Sequence, residues 1–292
     1  MLNKIIQTII CVTLVSLSAN SIATLRQYIA KVENSTWHLK DETRLQCTLS
    51  HLLPGYGEAL FSSIASKKLN MEFELDMLRL PNSYGVAAVY SVPPKWMPGQ
   101  VQRTISDMTI RKQYKGDLPE KAAWTMLTEL EKGFWPTIYY QDEYNQYDKV
   151  AVGLNAGNFA VPYEKFAECV ANLLPYSFQD IAYTVLTYQF NNTKLTKYSQ
   201  KRLAMIGEYL REDTNLELVL LDGYTDSFGS QSINKQISIR RAAEIKAFFS
   251  SLGVAPQRIE ITGHGERRHS SPNTNESTRA KNRRLVIRMS KP

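Results

Sequence analysis

The sequence GYTDSFGSQSINKQISIRRA, residues 223–242, joins a short apolar run to a long helical pattern. The apolar run, 216–221, ends at a polar turn, which is typical of a buried strand. The helical pattern spans 232–252 and is followed by Gly253, the residue type that most often ends a helix. This stretch therefore predicts a buried strand, a polar turn and a long helix.

One position in this helix interrupts its apolar face. The predicted apolar stripe consists of Ile233, Ile237, Ile245, Phe248 and Leu252. Arg241 occupies a gap of eight residues in the stripe, and Asn234 lies on the same side of the helix. A core-facing arginine costs several kcal/mol unless it is paired. The sequence therefore predicts a partner for Arg241.

Asp226, in the turn before the helix, is the nearest suitable acid. Two interpretations of the pair remain open. Asp226 and Arg241 either neutralise each other as a structural ion pair, or stand apart and hold a ligand that has an ammonium and a carboxylate group. In the second case Asp226 would bind the ammonium and Arg241 the carboxylate, through a forked hydrogen bond. The free end of the diaminopimelate side chain in peptidoglycan is such a ligand.

The rest of the C-terminal part alternates strands and helices. Strands are predicted at 181–190, 258–262 and 284–289, and a further helix at 197–210. Together with the strand and helix around residues 223–242, they give the order β-α-β-α-β-β. This order predicts an α/β sandwich with its helices on one face of the sheet.

The N-terminal part is predicted to be β-rich. Residues 71–77 alternate between apolar and acidic side chains, which is the pattern of a half-buried strand. Further strands are predicted at 86–92, 108–114 and 137–140, and one helix at 119–132. Short strands separated by turns favour a small sheet or barrel. The whole chain is therefore predicted to be of the α+β class.

The first 23 residues have the features of an export signal: a basic start at Lys4, an uncharged apolar run at 5–18, and small residues at Ser21 and Ala23. The apolar run is shorter than the ~20 residues of a membrane-spanning helix, although an uncleaved anchor is the alternative. We expect a cleaved signal at 1–23, a β-rich domain at 24–160, a linker helix at 161–175 and a second domain at 176–292.

Removal of the signal leaves two cysteines, Cys47 and Cys169. In an oxidising compartment, two cysteines indicate one intramolecular disulfide. The long loop that it would close is worth roughly 4–5 kcal/mol by the chain-entropy relation. Two free buried thiols are the alternative.

The net charge of +7 lies entirely in residues 176–292, which contain 18 basic and 11 acidic residues. Such a surplus is common in nucleic-acid-binding proteins, but export argues against a nucleic-acid partner. The carboxylates of peptidoglycan stem peptides are the more suitable anionic partner. A solvated basic surface without a specific partner is the alternative.

The turn and the long helix resemble the OmpA-like peptidoglycan-anchoring domain. The resemblance rests on Gly223-Tyr224-Thr225-Asp226, Gly229, Asn234, Ser238, Arg241-Ala242 and Arg279-Ala280-Lys281-Asn282-Arg283-Arg284. It implies that Asp226 and Arg241 hold diaminopimelate. The same resemblance implies that Thr225, Gly229 and Asn234 shape the pocket.

Two further positions bear on this resemblance. Arg284 begins the last predicted strand, and we expect it either to be structural or to support the glycan. His264 departs from the family, which often has Tyr or Phe at that position, so the rim of the pocket is expected to differ.

The whole chain resembles the narrower MotY family of sodium-driven flagellar motor proteins. The resemblance rests on a signal, a neutral β-rich domain with Cys47 and the stretch HLLPGYG at 51–57, a second cysteine, and the OmpA-like domain. It implies a periplasmic protein whose N-terminal domain joins the T ring of the flagellar basal body with MotX. The C-terminal domain would tie that ring, and indirectly the stator complex, to peptidoglycan. A general envelope protein that is tethered to the cell wall without a motility role is the alternative.

The sequence contains no Gly-x-Ser-x-Gly elbow, phosphate-binding glycine loop or Cys-x-x-Cys, and its four histidines lack zinc-type spacing. We therefore expect no catalytic residue, no metal and no cofactor, with a wall-modifying enzyme as the competing hypothesis. An aromatic cluster is formed by Trp135, Tyr139, Tyr140, Tyr144 and Tyr147. It is expected in the core or at a domain contact, with a protein-partner patch as the alternative.

Overall fold

The computed structural model describes residues 24–145, 147–189 and 194–292. The predicted export signal at 1–23 lies outside these residues. The chain divides into two compact units. The first contains the described residues up to Lys40 together with Thr48–Ser62 and Met71–Ala167, and the second contains Asp41–Cys47, Ser63–Asn70 and Glu168–Pro292.

The elements of the described residues are numbered here in chain order. The strands are β1 (Leu25–Ile29), β2 (Trp37–Glu42), β3 (Gln46–Leu53), β4 (Gly57–Ile64), β5 (Glu72–Met77), β6 (Gly85–Val92), β7 (Arg103–Ile110), β8 (Gly116–Leu118), β9 (Trp135–Gln141), β10 (Lys149–Gly153), β11 (Tyr183–Thr187), β12 (Leu218–Tyr224), β13 (Ile259–Gly265) and β14 (Arg284–Ser290). The helices are α1 (Glu120–Glu131), α2 (Ala160–Ala171), α3 (Phe178–Ala182), α4 (Lys197–Glu212), α5 (Gln231–Ser251) and α6 (Glu276–Asn282).

These strands form three sheets. Two have five strands, in the orders β1-β10-β9-β6-β7 and β2-β3-β4-β5-β8, and one has four, in the order β11-β14-β12-β13. The predicted α+β class, with a β-rich N-terminal part, is therefore confirmed. Within the described residues, no helix combines the length and the apolar character that crossing a bilayer requires.

Side chains that alternate between the core and the surface build the strands of the N-terminal part. In β5, Phe73 and Leu75 are buried and Glu74 is partly exposed. The strands predicted at 71–77, 86–92 and 137–140 and the helix predicted at 119–132 are confirmed. The strand predicted at 108–114 instead ends at Ile110, because the chain turns where the N–H of Tyr114 donates to the carbonyl of Arg111 at 3.2 Å.

The core of the first unit contains a buried histidine. His51 in β3 is fully buried and stacks on Trp37, with 4.3 Å between the ring centroids. Its Nδ1 lies 2.9 Å from the carbonyl oxygen of Thr36, and the backbone N–H of Asn155 donates to its Nε2 at 3.4 Å. These contacts suit a neutral ring with its proton on Nδ1. Burial lowers the pKa of His51 to about 4.

The four-stranded sheet of the second unit packs against helices α4 and α5. Strand β12 pairs parallel with β13 and antiparallel with β14, and β14 pairs antiparallel with β11. The sheet and the two helices share one apolar core, whose central residues are Leu186, Ile206, Leu210, Val219, Leu221, Ala242, Ile245, Phe249, Ile259, Leu285 and Ile287. The α/β sandwich predicted for this part is confirmed.

Two short helices in this unit were not predicted. Of the strand expected at 181–190, the described residues form Tyr183–Thr187, and residue 190 lies outside the described residues. Residues 181 and 182 belong to α3 instead, because Ser177 and Asp180 form a reciprocal capping box that starts this helix. Before β14, Asn275 and Thr278 form a second capping box that starts α6. Hydrophobic periodicity does not reveal these helices, since polar caps define them.

The buried face of α5 differs from the predicted apolar stripe. Ile233 is 55% exposed, and the buried residues are Asn234, Ser238, Arg241, Ala242, Ile245 and Phe249. The cause is the close approach of the helix to the sheet. A Cβ atom on Gly223 would collide with the carbonyl group of Ser238, and one on Gly263 would collide with Ile239. Large apolar side chains have no room directly between the two backbones, so small and polar residues occupy that part of the helix face.

A disulfide joins Cys47 and Cys169, which are 122 residues apart in sequence and have their Cα atoms 6.0 Å apart. Both cysteines belong to the second unit. The bridge therefore fixes the segment Asp41–Cys47 to the start of the long C-terminal portion of that unit.

We predict that His51 makes the stability of the first unit depend on pH. The folded state holds the ring neutral until the pH falls to about 4, whereas the unfolded chain takes up a proton near pH 6.5. The free energy of unfolding should therefore be highest above pH 6.5 and decrease by up to about 3 kcal/mol as the pH falls to about 4. Urea denaturation followed by tryptophan fluorescence from pH 7.5 to 4 measures this decrease.

The matched variants are His51→Gln and His38→Gln, since His38 is exposed in the same unit. His51→Gln should remove this part of the pH dependence, and His38→Gln should leave it unchanged. An unaltered pH dependence in His51→Gln would contradict the prediction.

Candidate ligand site

The loop between β12 and α5 is fixed at both ends. The N–H of Thr225 donates to the carbonyl of Gly265 at 2.8 Å, and the Ser230 hydroxyl accepts from the N–H of Ile233 at 3.4 Å and caps α5. Gly229 has φ +100°, a left-handed conformation that glycine adopts without strain. The loop therefore holds Asp226 close to the first turns of α5.

Asp226 is 8% exposed. Both oxygens of its carboxylate accept hydrogen bonds. Oδ1 accepts a hydrogen bond from the N–H of Phe228 at 3.1 Å, and Oδ2 accepts one from Nη1 of Arg283 at 2.8 Å. The other arm of Arg283 forms an ion pair with Glu276. Burial lowers the pKa of Arg283, but its hydrogen bonds to Asp226 and Glu276 outweigh burial and raise the pKa. Arg283 therefore stays charged at this buried position.

Arg241 is 5% exposed, as its position on the helix predicted. Its guanidinium carbon lies 4.1 Å from the centroid of the Tyr188 ring, and its Nη1 donates a long hydrogen bond of 3.5 Å to the carbonyl of Tyr224. Burial lowers the pKa of Arg241, and repulsion from Arg283 adds to this effect, while Tyr188 and Asp226 oppose it. Arg241 is thus a second buried cation within the electrostatic reach of Asp226.

Asn234 connects the loop to the end of strand β13. It is 2% exposed, and its Nδ2 donates to the carbonyl of Asp226 at 3.4 Å and to Oε2 of Glu266 at 3.1 Å. Gly265, which precedes Glu266, accepts from Thr225 and donates to the hydroxyl of Ser238 at 3.0 Å. The Asp226 and Glu266 segments are therefore held next to each other.

A second amide fixes the segment that carries Arg283. Asn282 is fully buried; its Oδ1 accepts from the N–H groups of Ser270 and Ser271 at 2.8 and 3.0 Å, and its Nδ2 donates to Oδ1 of Asn273 at 3.0 Å. Asn273 also accepts from the N–H of Ser227 at 3.4 Å. The loop after β13 and the loop after β12 are thus tied to each other through amide groups.

Arg284 and His264 both pack against the ring of Tyr224. The guanidinium carbon of Arg284 lies 3.9 Å from the Tyr224 ring centroid, and the His264 ring stacks 4.6 Å from it. His264 Nε2 is 2.8 Å from Asp222, which also accepts from Arg288 at 2.6 Å. Burial raises the pKa of Asp222, but the hydrogen bonds from His264 and Arg288 outweigh burial and lower it.

Five of the six predicted site residues therefore lie either in the loop between β12 and α5 or on α5 itself. They are Thr225, Asp226, Gly229, Asn234 and Arg241. Thr225 is 3% exposed, and its Oγ1 has no hydrogen-bond partner among the described residues. Arg284 is placed on the ring of Tyr224 instead and donates to the carbonyl of Arg268 at 2.9 Å.

Sequence reasoning missed Arg283, Glu266 and Glu276. Arg283 and Arg284 are adjacent bases at the start of β14, and the sequence alone did not show which of them points to Asp226. The available signal was the alternation of the strand: Leu285 and Ile287 are buried in the core, so Arg283 continues the buried series and Arg284 does not.

The buried charges at the loop and the helix-backed sheet define the class of the C-terminal part. Residues 187–283 match the OmpA family. Residues 28–175 match the MotY N-terminal domain. The chain belongs to the MotY family. The relatives that share both domains are structural flagellar motor proteins and not enzymes, so the prediction that the chain is not an enzyme is confirmed.

Three individual proteins are similar to the chain or to a part of it. The chain is 42% identical over 272 residues to the sodium-type flagellar protein MotY of Vibrio parahaemolyticus. This alignment covers 93% of each of the two chains. It is 33% identical over 100 residues to outer membrane protein A of Bordetella avium, covering 34% of this chain and 51% of the relative. The crystal structure of the peptidoglycan-associated lipoprotein from Burkholderia pseudomallei aligns with 36% of this chain and 89% of that one, at 23% identity and a TM-score of 0.33.

We predict that removal of the Arg283 guanidinium destabilises the second unit. Arg283→Met leaves the buried Asp226 carboxylate without this hydrogen-bonding base, and loss of one partner of a buried pair costs about 3–5 kcal/mol. Arg279→Met is the control, because Arg279 is more exposed than Arg283 and its ion pair among the described residues is with the outer acid, Glu276, at 3.4 Å; its cost should stay below about 1 kcal/mol. Urea denaturation measures both losses.

A double variant separates the ion pair from the packing of the arginine stem. Asp226→Asn with Arg283→Met removes both charges together, so it should be more stable than Arg283→Met alone. If the double variant lost as much free energy of unfolding as the two single variants together, the role assigned to this pair would be contradicted.

Proposed function

We propose that this chain is a structural component of the T ring of the flagellar basal body, located in the periplasm. There it would anchor the sodium-driven motor and its stator units to peptidoglycan. The motor assignment is supported by 42% identity to a sodium-type flagellar protein over 93% of both chains. The anchoring is supported by the OmpA-family match and, above all, by the charged site in which Asp226 contacts the buried Arg283 and lies within the electrostatic reach of the buried Arg241.

The charges of this site suit the free end of diaminopimelate, which carries one ammonium and one carboxylate. Arg241 would bind the carboxylate through a forked, charge-assisted hydrogen bond, and Asp226 would bind the ammonium. Burial strengthens such contacts, because charges attract each other more strongly where little water screens them. Thr225, Gly229 and Asn234 would shape the wall of the pocket around this end of the ligand.

The charge of the second unit supports an anionic partner. All of the net charge of +7 lies in residues 176–292. Exposed bases near the site include Arg267 and Arg268. These side chains would attract the stem-peptide carboxylates of the wall over distances of about a Debye length, roughly 8–10 Å at physiological salt.

We predict that Asp226→Asn and Arg241→Ala each weaken the co-sedimentation of the mature protein with purified sacculi by tenfold or more. Each variant removes one charged contact to the ligand, and such losses typically exceed 1.4 kcal/mol. Arg240→Ala is the control, because Arg240 is the adjacent arginine of the same helix and is exposed. Circular dichroism establishes that each variant is folded. Wild-type sedimentation of both folded variants would refute the placement of the site.

A cleft in the first unit is the proposed contact with MotX. The cleft has a volume of about 700 Å³. At its base the rings of Tyr28 and Tyr56 lie 5.0 Å apart, and the hydroxyl groups of Tyr56 and Tyr140 are 3.0 Å apart. At its rim Tyr84 and Tyr144 are 77% and 63% exposed. Exposed aromatic side chains around a concave surface are a common feature of protein-partner sites.

The predicted aromatic cluster is only partly located at this cleft. Tyr140 and Tyr144 line it. Tyr139 packs against Tyr90 at 6.0 Å, and Trp135 packs against Trp96 at 5.5 Å. The cleft rim, rather than the whole cluster, is therefore the surface to test.

We predict that the double variant Tyr84→Ser, Tyr144→Ser fails to restore swimming to a deletion strain and no longer retains MotX in pull-downs. Its sedimentation with sacculi should equal that of the wild type, because the wall site lies in the other unit. Tyr114→Ser is the control, since Tyr114 is 64% exposed in the same unit and does not line the cleft. A deletion strain that swims normally would show that the chain is a general envelope tether without a motility role.

A further inference from the structure

Glu266 differs from the other acids of the ligand site in its electrostatic environment. It is partly buried directly after Gly265, at the end of β13. Its Oε2 accepts a hydrogen bond at 3.1 Å from the neutral side-chain amide of Asn234. Among residues 24–145, 147–189 and 194–292, no lysine, arginine or histidine forms a salt bridge with it. Its negative charge is therefore not opposed by a base in direct contact.

Asp226, in contrast, already contacts a base. Its Oδ2 accepts from Arg283 at 2.8 Å, and its Oδ1 accepts from a backbone N–H. An ammonium group that approached Asp226 would meet the positive charge of Arg283 at the same carboxylate. Asp226 alone is therefore a weak attractor for a cation, because one guanidinium largely neutralises its charge.

The structure holds Glu266 at a fixed position relative to Asp226. The same Nδ2 atom of Asn234 donates to the main-chain carbonyl of Asp226 and to the Glu266 carboxylate. The main chain of Gly265 is bonded on one side to Thr225 and on the other to Ser238. Both acids thus belong to one hydrogen-bonded frame at the loop.

We infer that Glu266 is a second carboxylate for the ammonium of the bound ligand, acting together with Asp226. This inference rests on the proposed function of the site and specifies its ligand more closely. Arg283 neutralises the charge of Asp226, and Glu266 supplies a second negative charge for the ammonium of the ligand. Arg241 supplies the positive charge for the carboxylate of the ligand. The ligand is an amino acid end that carries both groups, and a stem peptide whose free end lacks the ammonium binds less well.

A ligand-based comparison separates direct contact from a role in holding Asn234. The two ligands are a muramyl tripeptide that ends in meso-diaminopimelate and the same tripeptide with the free side-chain amine acetylated. Calorimetry measures the affinity of each ligand for the full mature protein and for Glu266→Gln. The glutamine keeps an oxygen for the amide of Asn234 but carries no charge.

We expect Glu266→Gln to bind the free-amine ligand about tenfold or more weakly than the wild type, because a charge-assisted contact is lost. The acetylated ligand should bind equally to both proteins, since it has no ammonium to lose. Glu260→Gln, at an exposed position on strand β13 just before Glu266, is the control and should alter neither affinity. Equal losses for the two ligands, or no loss for the free amine, would overturn the inference.

Two further results complete the test. Should Glu266→Gln not fold, Glu266→Asp keeps the charge and draws it back by one methylene, and it should weaken binding of the free amine but not of the acetylated ligand. A wild-type protein that binds neither ligand nor sacculi would overturn the proposed function and this inference together. A wild-type protein that binds, with Glu266 variants unchanged, would overturn the inference alone.

Discussion

Helix α5 lies almost against its sheet, and the candidate ligand site depends on this close approach. Glycines at 223 and 263 have no Cβ atoms that would collide with the helix near Ser238. A helix face at such a short distance cannot hold large apolar side chains. Small and polar residues fill it instead, and one turn further along Arg241 brings a guanidinium group into the same buried region. The polar site is therefore a consequence of the packing geometry.

At this site the charge of Asp226 is balanced by Arg283 rather than by solvent. Arg283 lies between Asp226 and Glu276, and Arg241 rests on the face of Tyr188. Buried ion pairs contribute little net stability, because desolvation offsets most of their attraction. In the proposed function their value would lie in preorganisation: the groups that would hold a zwitterionic ligand are already desolvated and oriented, so binding would cost little further ordering. This agrees with a binding function for the domain.

The features of the fold that depend on local sequence patterns were predicted from the sequence. The sandwich order followed from hydrophobic periodicity, and the burial of Arg241 followed from its position between apolar residues. The exposure of Ile233 and the choice of Arg283 over its neighbour were not predicted. Both depend on how closely a helix approaches a sheet and on where a strand begins, and these are tertiary properties. The contact between Asn234 and Glu266 joins residues 32 positions apart and has no local signature.

The connectivity of the chain bears on the proposed mechanical role. The boundaries of the two units fall after residues 40, 47, 62, 70 and 167, so the chain passes from one unit to the other five times. A load between a ring-bound unit and a wall-bound unit would be shared by five polypeptide segments, not carried by one linker. The disulfide between Cys47 and Cys169 adds a covalent link between two of the segments that enter the second unit. Pulling one segment out of that unit then requires breaking a covalent bond as well as its packing. Five connections of this kind suit the proposed anchoring role better than a single flexible tether would.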